Sequence, residues 1–194
     1  MIRGLHSKLS DAMAGGELVR AEREVATGWT YGYVVALGRQ WCVLLVVGGG
    51  ITFDGYKAIR LKDVAALTVP TPYAAFIEKA LKKRKLRRPM SVVLDLSSTA
   101  ELLHSANVHY PLVTVHRETV DPDVCHIGRV ISTSRTSVTL HEIGPAATWD
   151  EELLSYPLSE ITCITFGGLY EDALWLVGGP KERALRSVSH LGCE

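Results

Sequence analysis

The sequence predicts a mainly β protein with short helices, built as two similar five-stranded units joined by a basic helix. Three observations carry this. Short runs rich in Val, Ile, Thr and aromatic residues recur along the chain, separated by Gly, Asp and Pro. The runs lie too close together for helical crossovers, so they must pair antiparallel. The second half also repeats the order of the first at an offset of 94 to 97 residues.

The repeat reads directly from the residues. Leu18-Val19-Arg20-Ala21-Glu22-Arg23-Glu24 lies over Leu112-Val113-Thr114-Val115-His116-Arg117-Glu118 at offset 94. Gly32-Tyr33-Val34-Val35 lies over Gly128-Arg129-Val130-Ile131, and Phe53-Asp54 over Trp149-Asp150, at offset 96. Leu61-Lys62-Asp63-Val64 lies over Leu158-Ser159-Glu160-Ile161, and Tyr73 over Tyr170, at offset 97. Upstream, Leu9 meets Leu103 within two helical patterns. The matches keep their order, and an ordered set predicts an internal duplication.

The elements follow in chain order. The first unit, residues 1–70, opens with a helix over 5–14 that Gly15-Gly16 stops. Its strands are expected at 18–24, 32–37, 41–47, 58–61 and 64–69, with Asp54-Gly55 as a tight turn. In the connector, residues 71–97, Thr71-Pro72 starts a helix. Tyr73, Phe76, Ile77, Ala80 and Leu81 give it one apolar face. It runs on through Lys82-Lys83-Arg84-Lys85-Leu86-Arg87-Arg88 to Pro89, and residues 92–96 read as a further strand. The second unit, residues 98–180, opens on a capping box of Ser98 and Glu101. Its strands are expected at 112–118, 128–133, 137–143, 154–158 and 161–166. Residues 181–194 read as a tail.

A helix and five short strands cannot make a broad sandwich; a small closed barrel buries one face of each strand and removes the free edges. The helix, the five bent strands, the glycine opening the second strand and the closing run Ile59-Arg60-Leu61-Lys62-Asp63-Val64 resemble the Sm-like variant of the SH3-type barrel. The resemblance covers both units. It implies two tandem Sm-like barrels, and assembly of such barrels into rings through their outer strand edges. Sm-like RNA binders carry an Arg-Gly-Asp/Asn turn where this chain has Leu61 and Lys62, and Leu158-Ser159-Glu160. The resemblance therefore implies the barrel and not the family's RNA loops.

Composition bounds the function. The 194 residues carry 21 Lys+Arg and 21 Asp+Glu, and 47% apolar with 22% charged residues excludes bulk disorder. No apolar run reaches the roughly 18 residues of a membrane helix. Residues 1–15 have no signal-type apolar core. The expectation is a cytoplasmic protein with no membrane partner. Cys42, Cys125, Cys163 and Cys193 form no C-x-x-C pair, so free thiols are expected. Net neutrality hides a polarity: residues 1–96 hold 15 Lys+Arg and 8 Asp+Glu, residues 97–194 hold 6 and 13. Lys82, Lys83, Arg84, Lys85, Arg87 and Arg88 supply much of the first excess. Such a run can bind phosphates, complement a helix dipole as a solvated end, or dock on the acidic half of another copy.

The remaining candidates are binding residues. Arg23-Glu24 and Arg117-Glu118 repeat at one strand end, which suggests a structural ion pair or a hydrogen bond to the next loop rather than catalysis, and Arg23 and Arg117 count among the candidate binding residues. Trp29 and Tyr31, with Tyr33 and Trp41, crowd the second and third strands as core, rim or an exposed ligand surface. Asp54, Asp150 and Asp121-Pro122-Asp123 read as turn chemistry. Gly48-Gly49-Gly50 lacks the Gly-Lys-Ser/Thr ending of a phosphate loop. No nucleophile, acid/base or cofactor motif recurs, so the expected function is non-enzymatic binding or scaffolding, with no cofactor and no metal, toward an unidentified protein or nucleic acid. The alternative is nucleic-acid or nucleotide binding through the basic connector helix. A metal-dependent enzyme using His104, His109, His116 or Asp121 is a distant third. With His126 and His141 these histidines form a cluster in the sequence, and surface or strand-edge positions are expected for all five. For assembly the expectation is a monomer or small oligomer: if the contact inside the chain uses both edges, the chain stays a monomer, and self-association through barrel edges is the alternative. If one edge of each unit meets inside the chain, the others can join head to tail, three chains giving six barrels. Lys57 and Arg60 on one strand, and Glu151 and Glu152 on another, are expected to protect edges.

Overall fold

The computed structural model describes residues 2–90 and 92–180; the tail over 181–194, with Cys193, lies outside the described residues. α1 (Ile2–Gly15) turns Leu9 and Ala12 onto the first strands, and Gly16 at φ 62° ends it, as the paired glycines predict. Five strands follow: β1 (Leu18–Arg23), β2 (Trp29–Leu37), β3 (Trp41–Val47), β4 (Phe53–Arg60) and β5 (Val64–Thr68). A 3-10 turn, Leu61–Asp63, links the last two. α2 (Ala74–Lys83) forms the connector, and α3 (Thr99–His109) opens the second half. The Ser98 hydroxyl accepts the Glu101 N–H at 3.1 Å, capping α3 where the sequence places the cap. Next come β6 (Val113–His116), β7 (Cys125–Thr133), β8 (Ser137–Ile143) and β9 (Trp149–Pro157). A 3-10 turn, Leu158–Glu160, leads to β10 (Cys163–Phe166) and α4 (Leu169–Gly178).

All ten strands pair antiparallel in one open sheet, ordered β5-β1-β2-β3-β4-β10-β6-β7-β8-β9. Among the described residues the chain is thus mainly β with four short helices, but neither half closes on itself. Within each half the strand order is the same, and so are the irregularities. Register shifts at Val34/Ala36 and Leu45/Val47 recur at Val130/Ser132 and His141/Ile143. Ile51 (φ 51°) and Ala147 (φ 56°) share a positive φ at matched positions. A Cβ on Gly32 would stand 2.7 Å from the Leu45 carbonyl oxygen, and one on Gly128 would stand 2.4 Å from that of His141. The shared glycine is therefore required by backbone approach at the same point of each half.

Two apolar layers cover the sheet. On one face, Leu9 and Ala12 of α1 pack with Val19, Val34, Leu44 and Ile59. On the other, Tyr33, Val43, Leu45 and Tyr56 of the first half join Val113, Val115, Ile164 and Phe166 of the second in one cluster. α2 adds Ile77 and Leu81, and α3 adds Leu102, Leu103 and Ala106.

Four expectations change. Asp54-Gly55 is not a turn: both residues lie within β4, and Gly55 (φ 65°) comes so close to residues 167 and 168 that a Cβ would meet the Gly168 nitrogen at 2.4 Å. Residues 92–96 pair with no strand, although Val92, Leu94 and Leu96 alternate inward onto the core. The basic run leaves the helix at Arg84, since Lys85 takes φ 58° and the amides of Lys85 and Leu86 donate to Lys82 and Leu81 in a closing motif. α4 was not anticipated: its mostly apolar sequence carries no polar face to mark a helical period.

Candidate functional site

The two halves meet where β4 pairs with β10, through Tyr56↔Phe166, Lys57↔Thr165, Ala58↔Ile164 and Ile59↔Cys163. On one face the Tyr56 and Phe166 rings stack across this seam, centroids 5.4 Å apart. On the other face Ile59 and Cys163 belong to the apolar layer under α1, and polar contacts flank them. Arg23, at the end of β1, donates from both terminal nitrogens to the Glu118 carboxylate, and both side chains are under a tenth exposed. The Thr162 hydroxyl donates to Glu118 as well. Further along, Glu171 of α4 accepts from the hydroxyls of Thr114 (2.6 Å) and Thr165 (3.0 Å). Asp54 Oδ1 accepts the Leu169 N–H at 2.9 Å, so β4 of the first half caps α4 of the second.

His116 lies opposite Cys163 in this layer. Burial, reinforced by the Lys57 and Arg23 charges and opposed by Glu118, lowers its pKa from 6.5 to about 4. Between those values the unfolded chain binds a proton that the folded chain does not, so stability rises with pH there and falls as pH drops through the window. His116→Gln removes this proton uptake. From pH 7 to pH 4.5, denaturant titrations should show the wild type losing about 2 kcal/mol more than His116→Gln.

Beyond the seam, the sheet ends on two free strands. Among the described residues β5 pairs only with β1, and β9 only with β8. The shared registers map one edge onto the other half. Tyr56 and Ile59 face Leu45 and Cys42 on β3, as Leu153 and Tyr156 face His141 and Val138 on β8. Cys163 and Thr165 face His116 and Thr114 on β6, as Ala66 and Thr68 face Glu22 and Arg20 on β1. Thus β9 holds the position of β4, and β5 that of β10. Leu153 (51% exposed) and Leu154 (39%) stand open on β9. The expected edge protection is corrected here: Lys57 and Arg60 lie on β4, which is paired on both sides. Glu151 and Glu152 do lie on a true edge, but outside the four seam-equivalent positions.

The residues singled out from the sequence fall into distinct environments. Lys82, Lys83, Lys85 and Arg87 are exposed. Arg84 donates to the Gly50 and Ile51 carbonyls, and Arg88 donates to the Gly16 carbonyl while its guanidinium lies 3.6 Å from the Tyr33 ring centre. Trp29 is 60% exposed beneath Arg20, and Tyr31 is half-buried beside it in a cavity of about 780 Å³ that also takes in Tyr73 and Phe76. Tyr33 and Trp41 are core. Arg117 pairs with Glu160 at 2.6 Å. A second cavity, about 980 Å³, is lined by Arg39, Lys62 and Arg135 together with the start of α3.

The histidines do not converge: His109 contacts the Val93 carbonyl, His126 contacts Tyr156, and His141 contacts the Asp150 carbonyl. Among the described residues no group of three or more His, Cys, Asp or Glu could hold a metal ion. Cys42 and Cys163 are buried in strands, Cys125 is exposed, and all three are free thiols. No helix among the described residues is long and apolar enough to cross a membrane. Sequence reasoning missed Glu118 as the partner of Arg23; the repeated Arg-Glu pair was the signal that marked it. Comparison with protein-family models, curated proteins and solved structures finds no match.

Proposed function

We propose that this chain is a non-enzymatic scaffolding protein made of two copies of one Sm-like unit, which joins further copies of itself head to tail through β9 and β5. The observation that carries the reading is the seam. β4 and β10 are already paired inside the chain, while β9 and β5, their counterparts, are left open among the described residues. A chain that makes this contact once internally presents the same two partners at its ends. The unpaired backbone groups of both edges gain partners on assembly. The seam-equivalent residues carry no charge: Leu153, Leu154, Ser155 and Tyr156 on one edge, Ala66, Leu67, Thr68 and Val69 on the other. The contact is heterologous, so the rotation per copy decides whether it closes; three chains would give a ring of six units. Light scattering at tens of micromolar, at low and high salt, tests the reading. A mass of several chains is expected, and a single-chain mass at both salts overturns it.

A second reading, binding of nucleic acid, is favoured by the exposed Lys82, Lys83, Lys85 and Arg87, whose ammonium and guanidinium groups meet no partner among the described residues. Retained nucleic acid should then dissociate steeply as salt rises, and be lost when these four are neutralised with the protein's mass unchanged.

A further inference from the structure

The two Arg-Glu repeats are chemically alike but differently occupied. In the first half, Asp63 is held by Arg60 at 2.5 Å, which leaves Arg23 to cross the seam to Glu118. In the second half, Glu160 stands where Asp63 does, but Pro157 stands where Arg60 does. Among the described residues Glu160 has no second cation, and Arg117, the counterpart of Arg23, falls back onto it. That pair is more open than its counterpart: side-chain exposure is 19% for Arg117 and 34% for Glu160, against 8% and 7% for Arg23 and Glu118. Glu24, the counterpart of Glu118, is exposed beside the free edge β5, and only its backbone N–H is engaged, by Asp63. Thus each free edge carries one half of the ion pair that the internal seam completes.

We infer that Arg117 is the exchangeable half of a copy-to-copy ion pair: on assembly its guanidinium leaves Glu160 of its own unit for the Glu24 carboxylate of the next copy. The inference rests on the edge-to-edge reading and names the charged contact that fixes its register. Aligning Tyr156 with Ala66 and Leu154 with Thr68, as Ile59 aligns with Cys163 and Lys57 with Thr165, carries Arg117 to Glu24 as Arg23 is carried to Glu118. The Asp54 cap is not repeated at this contact. Pro72 holds the place of Leu169 and has no N–H to give. The Arg-Glu pair is therefore the polar contact that the new seam keeps.

The test is the dissociation constant of the assembly, from sedimentation of the full chain over a dilution series. Glu24→Gln should weaken association about tenfold or more, because Arg117 then enters the seam without a carboxylate from the next copy. Glu160→Gln should tighten it, because the competing partner inside the unit is gone; a merely structural Glu160 would not do this. Arg117→Ala should weaken it, and adding Glu24→Gln to Arg117→Ala should cost little more. Glu24 is exposed, so its variant tests the contact without disturbing the fold. If the wild type assembles and Glu24→Gln leaves the constant unchanged, or Glu160→Gln weakens it, the exchange is wrong and the edge reading stands. If the wild type stays a single chain at tens of micromolar, the edge reading fails and the exchange falls with it.

Discussion

Replacing Leu153 and Leu154 together by lysine should reduce the assembly to single chains while leaving each chain folded. The effect is large because the change acts on the one surface that the seam comparison assigns to the next copy. Both residues are already open to solvent, so lysine costs little in the isolated chain. In an edge-to-edge contact they sit at the positions of Tyr56 and Lys57, against Val69 and Thr68 of the incoming β5. Lysine at 154 repeats Lys57, which the internal seam accepts, so the disruption comes from the ammonium at 153, which takes the place of the buried Tyr56 and must be desolvated or splay the strands. We expect association to fall about a hundredfold or more, with circular dichroism and unfolding midpoint near those of the wild type. The same double change on a chain that assembles through its basic run would leave the mass unchanged. Light scattering over a concentration series reads the difference.

Arg23→Ala should be strongly destabilising, at about 3–5 kcal/mol. The reason is the state in which it leaves Glu118. That carboxylate is under a tenth exposed and is held by the guanidinium and by the Thr162 hydroxyl. Removing Arg23 strands a buried negative charge beside a His116 that burial keeps neutral, with the hydroxyl alone to satisfy it. Removing both charges, with Arg23→Met and Glu118→Leu, should recover a large part of the loss, because neither partner is then left uncompensated. Urea titration of the three proteins checks this, and equal losses for the single and double variants would contradict it. By contrast Arg117→Ala, whose partner is a third exposed, should cost under about 1 kcal/mol in the isolated chain. Two arginines at matched positions thus separate into one buried against the other half of its own chain and one that the proposed contact between chains would use.

What the sequence determined by itself was everything that local chemistry and periodicity can encode. The Ser98 N-cap on the Glu101 amide, the glycine stop after α1 and the strands over Trp41–Val47 and Ser137–Ile143 were legible because each depends on a few adjacent residues. So was the matched order of the two halves, down to Gly32 and Gly128, since a glycine needed for close backbone approach leaves its mark at one position. The pair Arg23-Glu24 and Arg117-Glu118 was visible as a repeat, but its use was not. Which carboxylate Arg23 takes depends on β4 meeting β10, residues about a hundred apart in the chain, and no local pattern in either strand names its neighbour. The same contact decided that Lys57 and Arg60 lie inside the sheet and that the sheet stays open. It also turned Asp54 and Gly55 from a turn into a strand that caps a helix of the other half. Strand-forming residues fix that a strand exists; only the packing of the two halves fixes which of its edges is left free.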